Sequence, residues 1–93
     1  GRVLKALADP NRRRIMELLA QAEITCEIGI NCTRITEQLT VSQPTVSHHM
    51  KELAAANLLT MTPHGTASVL SLRRDTLEAV FATLRERFRL PPK

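Results

Sequence analysis

The sequence has little aromatic character: its 93 residues include two Phe and neither Trp nor Tyr. The core must therefore be aliphatic, built from Leu, Ile, Val, Ala and Met, and small helical domains can be packed in this way. A β-sandwich of this length would normally need more aromatic and β-branched residues. We expect a single, mainly helical domain, because the chain is too short for a catalytic cleft between two domains.

Long apolar runs and catalytic motifs are also missing. No apolar stretch approaches the ~20 residues that span a bilayer, and none is typical of a signal peptide. There is no Ser/His/Asp or Cys/His arrangement with an orienting third residue, no phosphate-binding glycine loop and no acidic pair inside a pocket-forming region. We therefore predict neither an enzyme nor a membrane partner, and no cofactor. The helical pattern is already under way at Gly1, so we expect the chain to be a segment of a longer one.

Cysteine is scarce, with only Cys26 and Cys32. Two cysteines do not make a disulfide framework, so a reduced, cytoplasmic protein is favoured. An extended strand would hold their Cα atoms beyond the about 7 Å that a disulfide allows, unless Gly29 bends the chain. We interpret both as small buried apolar residues. The alternatives are a thiol sensor and a metal site, and the latter is weak because two thiolates alone do not close one.

Positive charge is in excess, with 13 Lys and Arg against 9 Asp and Glu and a net charge of +4. This balance suits a polyanionic partner such as a nucleic acid. Basic balance alone does not identify the partner, because many basic proteins bind no nucleic acid.

The apolar periodicity predicts the order helix, helix, short strand, helix, helix, hairpin, helix. Asp9 and Pro10 are typical of a helix start, and Asn57 is typical of a left-handed helix end. Residues 23–32 alternate in the manner of a strand. The hairpin is predicted from strands over 58–62 and 67–72, with residues 63–66 as the turn.

The last helix is predicted to begin at Asp75, where Asp75 and Glu78 resemble a capping box. Its apolar stripe is about 100° wide, as expected of one buried helix face. The residues of this stripe are Leu77, Val80, Phe81, Leu84 and Phe88.

Residues 33–54 carry the pattern of a helix-turn-helix. Two short helices joined by residues 40–42 share one predicted core, which holds the second helix rigidly while its other face stays free. The core residues are Ile35, Leu39, Val41, Val46 and Met50.

The free face of the second helix follows from ~100° per residue. With Val46 inward, Pro44, His48 and Lys51 point outward. Thr45 and Ser47 lie on the shoulders, and His49 lies nearer the core boundary. Ser42 caps this helix, and Gln43 adds an amide that can pair with adenine.

Three interpretations of this polar face remain open. It reads DNA, it is a solvated helix surface, or it docks a protein partner without specific DNA binding. A solvated face usually carries Lys/Glu pairs, whereas this one is rich in Ser, Thr, Gln and His, which favours DNA reading.

Three stretches of the chain resemble the ArsR/SmtB family of repressors. Residues 4–12 (Leu-Lys-Ala-Leu-Ala-Asp-Pro-Asn-Arg) with 14–19 are similar to its opening. Residues 41–53 (Val-Ser-Gln-Pro-Thr-Val-Ser-His-His-Met-Lys-Glu-Leu) are similar to its recognition helix, and 56–59 to its entry to the wing. The resemblance implies a winged helix-turn-helix, mainly α with a small β-hairpin wing, over residues 1–93.

It further implies a homodimeric repressor of double-stranded DNA, with the helix-turn-helix at about 33–55, the wing at about 58–72 and dimerisation helices at about 2–8 and 75–89. Gln43, Ser47 and His48 match base- or backbone-contacting positions of the family. With the outward arc and the wing tip, the predicted DNA-binding residues are Ser42, Gln43, Thr45, Ser47, His48, Lys51 and His64.

Several positions depart from the family pattern. Thr40 replaces a usual Gly, Pro44 a frequent Ser, and the wing lacks its usual arginines. Residues 12–14 and 73–74 are alternative phosphate clamps or merely solvated charges. The last helix has no His for the family's zinc-type site, and Cys32 has no Cys-x-Cys partner. We therefore predict no metal site, keep Cys26 and Cys32 as a candidate thiol sensor, and identify no inducer.

Overall fold

The computed structural model of the protein describes residues 1–27 and 32–91. Within these residues the chain forms five helices and three strands. In chain order they are α1 (Arg2–Leu7), α2 (Pro10–Gln21), β1 (Ile24–Glu27), α3 (Thr33–Gln38), α4 (Gln43–Ala55), β2 (Leu59–His64), β3 (Ala67–Leu72) and α5 (Arg74–Arg87). The predicted order of elements is confirmed.

The strands form one antiparallel sheet in the order β1-β3-β2. The hairpin of β2 and β3 is confirmed, but β2 runs on to His64, so the turn is Gly65 and Thr66 and not 63–66. Gly65 has a φ of +64°, a left-handed conformation that Gly adopts without steric cost. The strand predicted over 23–32 is observed at Ile24–Glu27 and pairs with β3; residues 28–31 lie outside the described residues.

The core lies where α2, α3 and α4 meet the inner face of the sheet, and it is aliphatic as predicted. Side chains from each of these elements are fully buried. The largest are Ile15, Ile35, Met50, Leu53, Leu58, Leu70 and Val46.

Two predicted helix ends are confirmed. The Asp9 carboxylate accepts hydrogen bonds from the backbone N–H groups of Asn11 (2.8 Å) and Arg12 (3.2 Å), which caps α2. Asn57, with a φ of 60°, ends α4 in the left-handed conformation.

The predicted capping box of α5 is wrong. Arg73 is the N-cap residue, and Asp75 lies inside the first turn. The Asp75 carboxylate instead accepts two hydrogen bonds from the Arg73 guanidinium, at 3.0 and 2.8 Å. These bonds lower the pKa of Asp75 to about 2.

The expectation that Cys26 and Cys32 stand too far apart for a disulfide is also wrong. Their Cα atoms are 4.5 Å apart and the sulfurs form a disulfide. The expectation assumed an extended strand between them, whereas β1 ends at Glu27 and Cys32 directly precedes α3. Both side chains are buried, at 2% and 1% exposure, so the predicted burial is confirmed.

Candidate nucleic-acid interface

The inward face of α4 holds the helix in place. Val46, Met50 and Leu53 have no exposed surface, and they pack in the same cluster as Ile35 of α3. Leu39 is buried and Val41 partly buried in this cluster, as the helix-turn-helix pattern predicts. An element held by several closely packed side chains has a fixed orientation, because cores of this density resist displacement.

The outward face of α4 matches the arc predicted from helical geometry. Pro44, His48 and Lys51 are exposed, and Thr45 and Ser47 are half-buried on the shoulders. The structure therefore presents a short, polar, hydrogen-bonding surface on a rigid helix. Such a surface can enter a major groove, which admits an α-helix and displays donors and acceptors that differ between base pairs.

The start of α4 differs from a usual serine cap. Ser42 is the N-cap residue, but its side chain makes no capping hydrogen bond to the helix backbone. Its hydroxyl lies 3.0 Å from the Thr45 hydroxyl instead. These two predicted DNA-binding hydroxyls are therefore paired with each other at the first turn of α4.

Gln43 is held by α3, a contact that the sequence did not reveal. The Thr36 hydroxyl donates a hydrogen bond to the side-chain oxygen of Gln43. The same hydroxyl lies 2.9 Å from the backbone carbonyl oxygen of Cys32. Thr36 thus orients the amide that we predict to read a base. In the sequence, this contact is indicated only by the position of Thr36, about one turn before the bend of the helix-turn-helix.

His49 lies on the inner side of α4. It is 7% exposed, and its Nδ1 is buried without a hydrogen-bond partner among the described residues. Burial lowers the pKa of His49; the charge of Asp9 opposes this shift, while those of Arg12 and His48 reinforce it. His49 is therefore a packing residue behind the exposed His48, whose ring lies 6.0 Å away.

The wing offers one predicted contact. His64 is exposed at the end of β2, immediately before the turn. His64 is therefore carried by the hairpin, an element separate from α4.

Most of the predicted arginine clamps have partners inside the protein. Arg13 donates to the backbone carbonyl oxygens of Leu7 (2.8 Å) and Ala8 (3.1 Å), at the end of α1. Arg74 donates to the carbonyl oxygen of Ala20 at 3.1 Å, and Arg73 pairs with Asp75. The contacts of Arg13 and Arg74 tie α2 to the end of α1 and to the start of α5, whereas the Arg73–Asp75 pair is local to the start of α5.

Other kinds of site find little support. Among residues 1–27 and 32–91, no group of three or more His, Cys, Asp or Glu side chains could hold a metal ion. No helix in this part of the chain is long and apolar enough to cross a membrane.

Comparison with known proteins places this geometry in a family. A family model described as a helix-turn-helix domain matches residues 7–62. The arsenical resistance operon repressor of Staphylococcus xylosus is 34% identical over 79 residues, which are 84% of this chain and 69% of that protein. The transcriptional repressor SdpR of Bacillus subtilis is 32% identical over 76 residues, covering 82% of this chain and 78% of that protein.

A solved structure agrees with the fold. The crystal structure of an ArsR family transcriptional regulator, 21% identical in sequence, superposes with a TM-score of 0.80 over 96% of this chain and 91% of that chain. The chain belongs to the ArsR family of winged helix-turn-helix regulators.

Family membership confirms the resemblance read from the sequence and the predicted fold class. As an ArsR family member, the protein is a DNA-binding transcriptional regulator and not an enzyme. Helix-turn-helix regulators bind double-stranded DNA, which disfavours the alternative that this domain only docks a protein partner.

Proposed function

We propose that the protein is a sequence-specific transcriptional repressor that binds an inverted-repeat operator as a homodimer. One observation carries the proposal: the exposed face of α4 is polar, while its opposite face has three side chains without exposed surface. In the dimer, two such helices would enter successive major grooves, one turn of DNA apart. The similarity to two named repressors supports the direction of regulation. A cytoplasmic location is part of the proposal, because the regulator must reach its DNA target.

Base and phosphate contacts are divided along α4 in this proposal. Gln43 and Ser47 lie where the helix enters the groove and read base edges. Ser42 and Thr45, paired at the first turn, meet the backbone, and Lys51 meets phosphate one turn beyond Ser47. His64 of the wing adds a contact outside the major groove. Only the base contacts carry sequence information directly.

The second copy is proposed to bind along α1 and α5. Leu4, Phe81 and Phe88 are large apolar side chains left 49%, 47% and 70% exposed. Between α1 and α5 lies a cavity of about 330 Å³, whose lining includes Val3, Leu4, Val80 and Leu84. A two-fold interface would cover this apolar surface and set the spacing of the two recognition helices.

Selection of bound sequences from a random DNA pool tests the proposal directly. It should return an inverted repeat whose half-sites are centred one helical turn apart. Recovery of no preferred sequence, with equal binding of scrambled duplexes at every salt concentration, would leave the chain without a specific operator.

Binding isotherms then test the division of contacts. Gln43→Ala should cost about 1–3 kcal/mol on the preferred duplex and flatten discrimination at one base pair. Lys51→Ala should weaken preferred and scrambled duplexes by a similar factor. Gln21→Ala, a loss of an exposed glutamine at the end of α2, is the matched control and should change neither. Equal weakening of both duplexes by Gln43→Ala would mean a different docking of α4.

We propose a structural role for Cys26 and Cys32. Their bridge joins β1 to the residue before α3, and both sulfurs are buried in the core cluster. The candidate thiol sensor is the competing function, and the disulfide gives it a specific form: reduction would free the start of the helix-turn-helix. Equal operator affinity with and without a dithiol reductant is expected of a structural bridge, and a large difference is expected of a sensor.

A further inference from the structure

Helix α1 has two chemically different sides. At ~100° per residue, Val3, Leu4 and Leu7 share one side, while Arg2 and Lys5 share the other. The apolar side faces α5, where Val3 and Leu4 line the cavity described above. Arg2 also borders that cavity, whereas Lys5 does not, so the apolar interface leaves the basic side of α1 largely unexplained.

The basic side of α1 opens onto a second cavity, which lies against the recognition helix. This cavity is about 320 Å³, enough for a phosphodiester group with water. Three elements contribute to it: α1, the first turn of α2, and the part of α4 from His48 to Glu52. Its lining residues are Arg2, Lys5, Ala6, Arg12, His48 and Glu52.

The charge in this cavity favours an anion. Three cationic side chains line it against the one carboxylate of Glu52. That carboxylate lies 3.9 Å from Arg12 Nη1, so it offsets the charge of Arg12 and leaves those of Arg2 and Lys5 uncompensated within the lining. The Nε of Arg12 is also buried without a hydrogen-bond partner among the described residues, which leaves a donor unsatisfied beside the cavity.

We propose that this cavity binds a phosphate of the DNA backbone, with Arg2 and Lys5 as its principal contacts. The inference rests on the proposed function, and it gives α1 a DNA-contacting role in addition to its role in the dimer. His48 is an exposed residue of the α4 arc and also lines the cavity. When α4 lies in the major groove, it therefore brings the opening of the cavity to the DNA strand that borders the groove. The same geometry assigns His48 to the phosphate and not to a base edge.

The test compares two double variants that remove equal charge. Arg2→Ala with Lys5→Ala removes both principal contacts of the proposed phosphate site. Arg34→Ala with Arg89→Ala is the control, because Arg34 lines a different cavity that includes no residue of α4 and Arg89 is exposed beyond the end of α5. Affinity for the preferred and a scrambled duplex is measured at several salt concentrations, and sedimentation verifies that each variant keeps the oligomeric state of the parent.

The slope of log affinity against log salt should fall by about two units in the Arg2/Lys5 variant, since the dimer loses one phosphate at each of its two sites and each lost phosphate contact removes about 0.9. Both duplexes should weaken by a similar factor, so that their affinity ratio is unchanged. His48→Ala should likewise weaken both equally. The control should keep the parent slope. Exchanging the two cations, as Arg2→Lys with Lys5→Arg, keeps the charge of the site and should also keep the parent slope.

Four results would overturn the inference. An unchanged slope in the Arg2/Lys5 variant, while the parent binds DNA, refutes the phosphate site and leaves the proposed function standing. An equal fall in the control shows only a general charge effect. Loss of stabilisation by inorganic phosphate in a thermal melt, with DNA binding unaffected, identifies a site for free anions instead. A parent chain that binds no duplex at all overturns both this inference and the proposed function.

Discussion

Helices α4 and α5 are of similar length and both carry an apolar stripe, yet the chain buries only one of them. In α4, Val46, Met50 and Leu53 have no exposed surface. In α5 no residue is buried, and Phe81 stays 47% exposed. The position of α4 is therefore determined within one chain, while α5 keeps an apolar face available for another surface.

The difference corresponds to the proposed work of each helix. A helix that reads bases needs a fixed orientation, and burial inside the monomer provides it before DNA is met. A helix that forms a dimer must remain apolar on its outside, because large exposed apolar patches are typical of interaction sites. The four predictions below test this contrast, from the largest expected effect to the smallest.

The largest effect should come from emptying the core beneath α4. Met50→Ala removes a fully buried side chain and should lower the free energy of unfolding by about 2–5 kcal/mol, through lost burial and the cavity left behind. Urea denaturation measures it.

Leu84→Ala, at a half-buried position of α5, is the matched variant. Its cost should be smaller in dilute solution and grow with protein concentration, because a dimer interface stabilises by mass action. A concentration-independent loss as large as that of Met50→Ala would remove the distinction between the two helices.

The second effect concerns the exposed face of α5. Phe81→Glu places a charge in the proposed interface and should raise the dimer dissociation constant by about 30-fold or more, as expected for an aromatic anchor worth at least ~2 kcal/mol. Sedimentation across a concentration series measures this. Phe81→Leu keeps the apolar contact and should remain dimeric. A dimer unaffected by Phe81→Glu would place the interface elsewhere.

The helix-turn-helix could be predicted from sequence because its information is local. The 3.6-residue period from Val46 determines both the buried and the exposed sides of α4, and the structure confirms Met50 inside and His48 outside. The Asp9 and Asn57 helix ends were predictable for the same reason, since each depends on a few neighbouring residues.

Contacts between distant segments could not be predicted in this way. The pairing of β1 with β3 joins Ile24 to Leu70, and nothing in either strand specifies that partner. The capping box of α5 failed because the carboxylate of Asp75 had a competing donor in Arg73. Equally, the cavity beside α4 exists only when α1 and α2 pack against it, so the role of Arg2 could not be inferred from its place in the chain.

The third effect concerns the bridge at the start of the helix-turn-helix. Cys26→Ser should lower the free energy of unfolding by about 2 kcal/mol, the entropy expected for closing a short loop between Cys26 and Cys32. Operator affinity should be nearly unchanged, because the buried face of α4 remains intact. Denaturation of the oxidised and reduced parent gives the matching comparison. An affinity loss on reduction that disappears in Cys26→Ser would establish the thiol sensor instead.

The smallest effect concerns the one histidine on the buried side of α4. Burial, opposed by Asp9, holds the pKa of His49 below its ordinary value of 6.5. Between that lowered pKa and about 6.5 the unfolded chain binds more protons than the folded one, so the stability falls as pH falls. The stability that the neutral His49 side chain contributes is fully present above about pH 6.5, and it is lost as the pH falls towards the pKa of His49 in the folded protein. Asp9, whose pKa is also lowered, affects the stability only below its ordinary pKa of 3.8, so its titration does not overlap this window.

Denaturation from about pH 7 to pH 5 should therefore show a slope of stability against pH. His49→Leu should remove this slope, and His64→Gln, at the exposed end of β2, should retain it. An unchanged slope in His49→Leu would mean that this imidazole takes up its proton as readily in the folded protein as in the unfolded chain.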